Sequence, residues 1–126
     1  MSNPISWFEI YVNNIQRARI FYETVFKIKL TDFYNPLISN EIQMKHFPFD
    51  MHGYGSTGAL VQRNDIPAGG NSSIVYFCSE NCEIEEMRIE ESGGKIYQTK
   101  TSIGEHGFTV LAIDTEGNLF GIHSMK

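Results

Sequence analysis

One carboxylate, Glu9, stands on a short segment whose other residues are apolar or aromatic, Trp7–Val12. A carboxylate in apolar surroundings must find a partner or take up a proton. Glu9 is therefore a candidate general base, or an anchor for a hydroxyl or amine group of a ligand. The alternative is a structural carboxylate that accepts hydrogen bonds from the backbone or from Tyr76.

Two further polar residues belong with Glu9. Tyr76 takes the position of Glu9 when Trp7–Ile15 is superposed on Ile74–Cys82. His123 ends the last apolar segment, on the alternation that includes Gly121. A tyrosine hydroxyl or an imidazole can donate to a ligand oxygen, although both residues are also common as satisfied structural groups. We predict Glu9, Tyr76 and His123 as the catalytic set.

Four residues are predicted to bind the ligand. Trp7 and Tyr11 share the face of Glu9 because side chains alternate along a strand. His46 and Phe47 lie in a later apolar segment. We expect them to line a ligand cavity, with Phe47 at its rim.

The pattern of apolar residues predicts the elements that position these groups. In the first half we expect a strand, a helix capped by Asn13 or Asn14, and three strands; the second half repeats this order and ends in a hairpin around the turn Asp114–Asn118. The predicted bounds are 7–12, 15–26, 29–33, 42–47 and 57–62, then 73–78, a helix from 82 to Gly93-Gly94, 95–100, and a final hairpin within 107–123.

A linker rich in glycine and proline separates the halves, Asn64–Ser72. We therefore predict an α+β fold built from two tandem βαβββ modules, 1–62 and 71–126, joined by 63–70. The 126 residues form one domain of ordinary size.

The composition of the chain limits the kinds of partner that we expect it to bind. The net charge of −5 argues against nucleic acid and anionic membranes. No segment has the apolar length of a signal peptide or a membrane span. The two cysteines, Cys78 and Cys82, are expected to be free thiols, so the predicted location is cytoplasmic.

The segment WFEIYVNNIQRARIFYETVF, the helix exit Gly93-Gly94-Lys95 and the turn DTEGN followed by FGIH resemble the vicinal oxygen chelate superfamily. That group includes glyoxalase I, bleomycin-resistance proteins and extradiol dioxygenases, and the chain looks most like its small glyoxalase-related members. The resemblance implies a cupped mixed sheet with both helices outside, a small-molecule cavity between the modules, and a homodimer.

The resemblance also implies four metal-ligand positions. In this sequence they hold Trp7, Ala59 or Leu60, Ile74 and Gly121, none of which can coordinate a divalent ion. We therefore predict no metal and no other cofactor. A shift of two residues would bring in Glu9 and His123 instead, with His46 as an additional ligand.

Three functions stay open at this point. The first is a lyase or isomerase with Glu9 as base and Tyr76 or His123 polarising an oxygen. The second is a protein that sequesters a small hydrophobic or cationic molecule, as bleomycin-resistance proteins do. The third is a metalloenzyme that uses the shifted ligand set.

Overall fold

The computed structural model describes residues 3–33, 36, 39, 41–70 and 72–126. Within these residues it contains eight strands and two α-helices, which confirms the α+β class. The elements are β1 (Ile5–Tyr11), α1 (Ile15–Phe26), β2 (Thr31–Asp32), β3 (Ile42–His46), β4 (Thr57–Arg63), β5 (Ser73–Cys78), α2 (Cys82–Ile89), β6 (Lys95–Ser102), β7 (Phe108–Ile113) and β8 (Leu119–Ser124).

The chain divides into two compact units. The N-terminal unit is Trp7–Ser73, and the C-terminal unit is Ile74–Lys126 together with Met1–Ser6. The first residues join the C-terminal unit through the backbone, where the N–H of Cys78 donates to the carbonyl of Pro4 over 2.8 Å.

In the N-terminal unit the strands lie in the order β2-β3-β4-β1. Strand β1 runs parallel to β4, and the other two pairings are antiparallel. The register aligns Glu9 with Ala59 on β4 and Ala59 with His46 on β3. Because residues in register share a face, Glu9, Ala59 and His46 form one row across three strands.

Helix α1 covers the other face of this sheet. The Asn14 side chain caps its start by accepting from the N–H of Arg17, and the helix ends at Lys27 in the left-handed conformation. Ile15 packs with Leu30 and Leu60 in the core between helix and sheet. We call the opposite sheet face, which carries Glu9, the Glu9 face.

Helical spacing puts Phe21 or Tyr22, then Val25 and Phe26, on the same side of α1 as Ile15 and Ala18. The structure buries part of Tyr22 against the core, whereas Phe21, Val25 and Phe26 are between 55% and 61% exposed. Ala18 and Tyr22 pack against the cluster of Ile15, Leu30 and Leu60, and the other apolar side chains of the second half of the helix do not belong to it. Helical spacing alone therefore does not decide which of these apolar side chains the fold buries.

In the C-terminal unit the strands lie in the order β5-β8-β7-β6. Helix α2, capped by Asn81, packs its buried residues Cys82 and Ile89 against Val110, Ala112 and Ile122. Both cysteines are free; Cys82 is buried, and Cys78 is exposed.

Several predicted bounds are corrected. The strand expected over 29–33 pairs only at Thr31–Asp32, since Leu30 turns into the core instead. Strand β6 continues to Ser102, two residues beyond the prediction, and a 3₁₀ turn at Gly104–His106 precedes β7. The pair Asn35-Pro36, which is typical of the end of a strand, lies partly outside the described residues.

The final hairpin is as predicted. Strands β7 and β8 pair in register from Phe108 and Ser124 to Ile113 and Leu119. Asp114 closes the turn because its side chain accepts from the N–H groups of Glu116 and Asn118. Across the described ranges, neither helix has the length and apolar character that a membrane span needs.

Candidate functional site

The Glu9 carboxylate is held by two aromatic residues of its own strand. The indole N–H of Trp7 donates to Oε2 over 3.1 Å, and the Tyr11 hydroxyl donates to Oε1 over 2.5 Å. The Glu9 residue is 8% exposed and Tyr11 is 2% exposed. The spacing of two residues puts all three side chains on one sheet face, so strand geometry alone makes this contact possible.

These hydrogen bonds change the sequence-based description of Glu9. In the structural alternative, the Glu9 carboxylate was expected to accept hydrogen bonds from the backbone or from Tyr76. In the structure the donors are Trp7 and Tyr11. Two donors directed at a carboxylate favour its ionised form over the protonated one. The two hydrogen bonds thus fix the orientation of the Glu9 carboxylate.

Arg63 extends the polar group from Tyr11 towards the surface. Burial, and then the nearby Glu9 carboxylate, raise the pKa of Tyr11 far above its usual value, while Arg63 opposes this through its charge and a hydrogen bond. The Arg63 guanidinium donates two hydrogen bonds to the Asp65 carboxylate, both of 2.9 Å. Glu9, Tyr11, Arg63 and Asp65 thus form a chain from a buried charge to an exposed one.

Aromatic rings surround the end of the Glu9 face that Trp7 occupies. The ring centroids of Trp7 and His46 are 5.4 Å apart, those of Trp7 and Phe33 are 5.4 Å apart, and those of Phe33 and His46 are 5.2 Å apart. The small Ala59 between Glu9 and His46 in register lets these rings approach one another. We call Trp7, Phe33 and His46 the ring cluster.

The predicted ligand-binding residues do not all lie together. Trp7, Tyr11 and His46 are on the Glu9 face. Phe47 lies on the face of α1, where its ring packs against Phe8 at 5.4 Å and Tyr22 at 5.7 Å. The cause is strand alternation, which turns Phe47 away from the side of its neighbour His46. We therefore leave Phe47 out of the candidate site.

Tyr76 and His123 belong to the C-terminal unit. Tyr76 is 6% exposed, and its ring lies over Gly121, the residue in register with it on β8. The His123 imidazole donates from Nε2 to the carbonyl oxygen of His106 over 2.6 Å, since a carbonyl can only accept. This contact leaves Nδ1 as the acceptor nitrogen of the neutral ring.

The residues at the implied metal-ligand positions do not fit a divalent ion. A Cβ on Gly121 would lie 2.3 Å from the Tyr76 ring, so no carboxylate could replace this glycine while Tyr76 keeps its place. Among the residues that the structure describes, no group of three His, Cys, Asp or Glu side chains is placed to hold a metal.

Two residues of the site were not found from the sequence. Phe33 follows β2 and reaches the ring cluster, and Arg63 is the last residue of β4. Alternation along β4 from Ala59 would have placed Arg63 on the Glu9 face, because both positions are odd-numbered in one strand. Phe33 gave no such signal, since β2 pairs over two residues only.

The similarity of this chain to known proteins is found in their structures and not in their sequences. No protein-family model and no curated protein sequence matches the chain. Methylmalonyl-CoA epimerase from Mycobacterium tuberculosis superposes with a TM-score of 0.66 over 98% of this chain and 88% of that one, at 11% identity. The chain has the methylmalonyl-CoA epimerase fold.

Two other solved structures have the same fold. A variant of Streptomyces coelicolor methylmalonyl-CoA epimerase in complex with 2-nitronate-propionyl-CoA gives a TM-score of 0.65 at 13% identity, covering 97% and 96% of the two chains. A hypothetical protein from Bacillus halodurans gives 0.69 at 14% identity, covering 100% and 96%. Identities this low establish the fold alone.

Proposed function

We propose that the chain binds a small organic molecule on the Glu9 face of the N-terminal unit, and that the Glu9 carboxylate recognises it. One observation carries this proposal: Glu9 is almost fully buried and is oriented by Trp7 and Tyr11 beside the ring cluster. Small-molecule sites combine apolar and aromatic walls with a few polar groups of fixed direction. The ligand-bound epimerases of the same fold give independent support.

A second candidate function is an isomerase or lyase in which Glu9 acts as the base. The epimerase structures favour it, because epimerisation at a carbon centre needs a group that accepts a proton. The two hydrogen bonds to Glu9 act against it, since donors that stabilise a carboxylate also make it a weaker base. The non-catalytic alternative is a sequestering protein of the bleomycin-resistance type.

Native mass spectrometry of the purified protein tests the binding proposal, because a retained ligand adds its mass to the chain. We expect Glu9→Gln to lose that added mass while folding. Glu41→Gln, which removes the same charge at an exposed position of the same unit, should keep it. Equal retention by both variants would contradict a role for Glu9 in recognition.

A deuterium-exchange assay separates the two candidate functions. Methylmalonyl-CoA, the compound bound in one of the epimerase structures, is incubated with the protein in D₂O, and any ligand found by mass spectrometry is treated in the same way. Deuterium at carbon that depends on Glu9 supports the isomerase. A ligand that is bound and returned without deuterium supports sequestration.

The predictions of location, assembly and partners are part of this proposal. We propose a cytoplasmic homodimer that binds neither nucleic acid nor membranes. The net charge of −5 supports the exclusion of polyanionic partners. Tyr76 and His123 stay predicted site residues of the C-terminal unit.

A further inference from the structure

Cys78 and His123 are neighbours in the sheet of the C-terminal unit. They are in register on the parallel strands β5 and β8, and the N–H of Ser79 donates to the carbonyl of His123 over 2.8 Å beside this pair. Residues in register on neighbouring strands point to the same sheet face. Because such strands are about 4.8 Å apart, rotation about the Cα–Cβ bond of Cys78 brings its thiol to the imidazole.

The two cysteines of the chain differ in what a reagent can reach. Both are free thiols, but Cys78 is exposed at the end of β5, whereas Cys82 is buried with an exposure of 0%. A cysteine becomes a nucleophile when an adjacent base takes the proton of its thiol. Cys78 is therefore accessible and lies beside a side chain that can act as such a base.

His123 has the orientation that a base for this thiol needs. Its Nε2–H donates to the carbonyl oxygen of His106 over 2.6 Å, which leaves Nδ1 to accept a proton. The same carbonyl would stabilise the imidazolium that forms, because hydrogen bonds from charged donors are the stronger ones. Cys78, His123 and the carbonyl of His106 thus supply a nucleophile, a base and a group that orients the base, the arrangement of activated nucleophiles in enzymes.

Thr109 adds a hydroxyl group to the same row of residues. It is in register with His123 on β7, on the side away from Cys78. A threonine hydroxyl can donate to a carbonyl oxygen and stabilise negative charge that develops there. The row of thiol, imidazole and hydroxyl therefore favours an electrophile whose reactive carbon is conjugated to a carbonyl group.

Going beyond the proposed function, we infer that Cys78 is a covalent modification site for α,β-unsaturated carbonyl compounds, with His123 as its base. The thiol proton passes to Nδ1 of His123 as a carbon–sulfur bond forms at the β carbon. The electron pair of the carbon–carbon double bond moves towards the carbonyl group, whose oxygen accepts a hydrogen bond from Thr109. The α carbon then takes the proton from the imidazolium, so the addition consumes no other reactant and restores the neutral ring.

N-Ethylmaleimide is the probe, and mass spectrometry of the intact protein with peptide mapping is the measurement. We expect one adduct on the folded protein, at Cys78, with the buried Cys82 unmodified. The second-order rate constant should exceed that of N-acetylcysteine at the same pH by about tenfold or more, because a positioned base takes the proton. Cys78→Ser should abolish the adduct.

Two substitutions of His123 separate its role as a base from its role in the structure. The amide of His123→Gln can still donate to the carbonyl of His106 but cannot take a proton, so the rate constant should fall to about that of N-acetylcysteine. His52→Gln makes the same change at an exposed histidine and should keep the wild-type rate. In His123→Ala, added imidazole should restore part of the rate, and urea denaturation verifies that each variant is folded.

Thr109→Val tests the class of electrophile. It should slow the reaction with N-ethylmaleimide several-fold and leave the reaction with 2,2′-dithiodipyridine, a thiol reagent without a carbonyl group, unchanged. Equal effects on both reagents would show that the carbonyl is not recognised and that the proposed class is wrong.

The outcomes also separate an activated thiol from an ordinary exposed one. A wild-type rate constant equal to that of N-acetylcysteine, or one unchanged in folded His123→Gln, would overturn the inference. If His123→Gln does not fold, a folded His123→Ala that reacts as fast as the wild type or gains nothing from imidazole would overturn it as well. Ligand binding on the Glu9 face uses no residue of this row, so either proposal can fail without the other.

Discussion

The ring of Tyr76 lies against Gly121 so closely that a Cβ on the glycine would come within 2.3 Å of it. The two residues are in register on the parallel strands β5 and β8. A second close pair exists in the N-terminal unit, where a Cβ on Gly58 would lie 2.1 Å from the backbone oxygen of Phe8 and 2.7 Å from its ring. In each unit an aromatic residue of the first strand thus requires a glycine on the last.

Replacing Gly121 by alanine should destabilise the protein by about 1–3 kcal/mol, because the added methyl group overpacks a buried site. The same substitution in a Tyr76→Leu background should cost less, since the ring no longer occupies the space. Urea denaturation measures both. Gly53→Ala is the control, because its nearest neighbour is the flexible side chain of Asp50 at 3.2 Å. Equal losses with and without the Tyr76 ring would contradict the packing argument.

The Glu9→Gln variant should lose about 1–3 kcal/mol of unfolding free energy, because an amide nitrogen would face one of the two donors and leave it unsatisfied. An unpaired carboxylate would instead be replaced at little cost. Glu41→Gln should stay within about 0.5 kcal/mol of the wild type, as surface changes usually do. An unchanged urea midpoint for Glu9→Gln would show that the hydrogen bonds from Trp7 and Tyr11 contribute nothing net.

Alkaline pH should reveal the buried state of Tyr11. Tyrosine ionises near pH 10 in an unfolded chain, about its ordinary pKa, whereas burial and Glu9 raise the pKa of Tyr11 well above this in the folded protein. Above about pH 10 the unfolded state therefore releases a proton that the folded state keeps, and stability falls by up to about 1.4 kcal/mol per pH unit. Below that pH, Tyr11 is protonated in both states and adds no dependence.

The measurement compares urea denaturation at mildly and strongly alkaline pH. Tyr11→Phe should show a smaller alkaline loss than the wild type. Tyr54→Phe is the matched control, since Tyr54 is fully exposed and should leave the pH dependence unchanged. A loss in Tyr11→Phe as steep as that of the wild type would contradict the assigned cause.

Measuring the metal content of the protein tests the four metal-ligand positions that the family resemblance implies. We predict that untagged protein contains no stoichiometric nickel, zinc, iron or manganese, because Trp7, Ile74 and Gly121 cannot coordinate them. Inductively coupled plasma mass spectrometry is the measurement. A stoichiometric metal that disappears in Glu9→Gln or His123→Ala would instead support the shifted ligand set.

A homodimer is expected, with α1 as part of the surface it buries. Phe21 and Val25 are more than half exposed on this helix, and exposed apolar groups of this size are typical of interaction surfaces. Light scattering should give twice the 14.4 kDa mass of one chain. A Phe21→Ser and Val25→Ser double variant should shift the mass towards the monomer, whereas Met87→Ser on α2 should not. A monomeric wild type would contradict the prediction.

The sequence by itself determined the order of elements and which residues of β1 share a face. Apolar periodicity located both helices and the last hairpin, because these patterns are local. Trp7, Glu9 and Tyr11 share a face for the same reason: alternate residues of a strand point the same way, whatever the rest of the chain does.

The tertiary structure decided what surrounds that strand. His46 meets Trp7 because β3 pairs with β4 in one particular register, and a shift of one residue would have turned Phe47 towards Glu9 in its place. The choice of Tyr22 over Phe21 as the buried ring of α1 depends in the same way on how the helix lies against Leu60. Register and helix orientation arise from contacts between residues far apart in the chain, which local patterns do not specify.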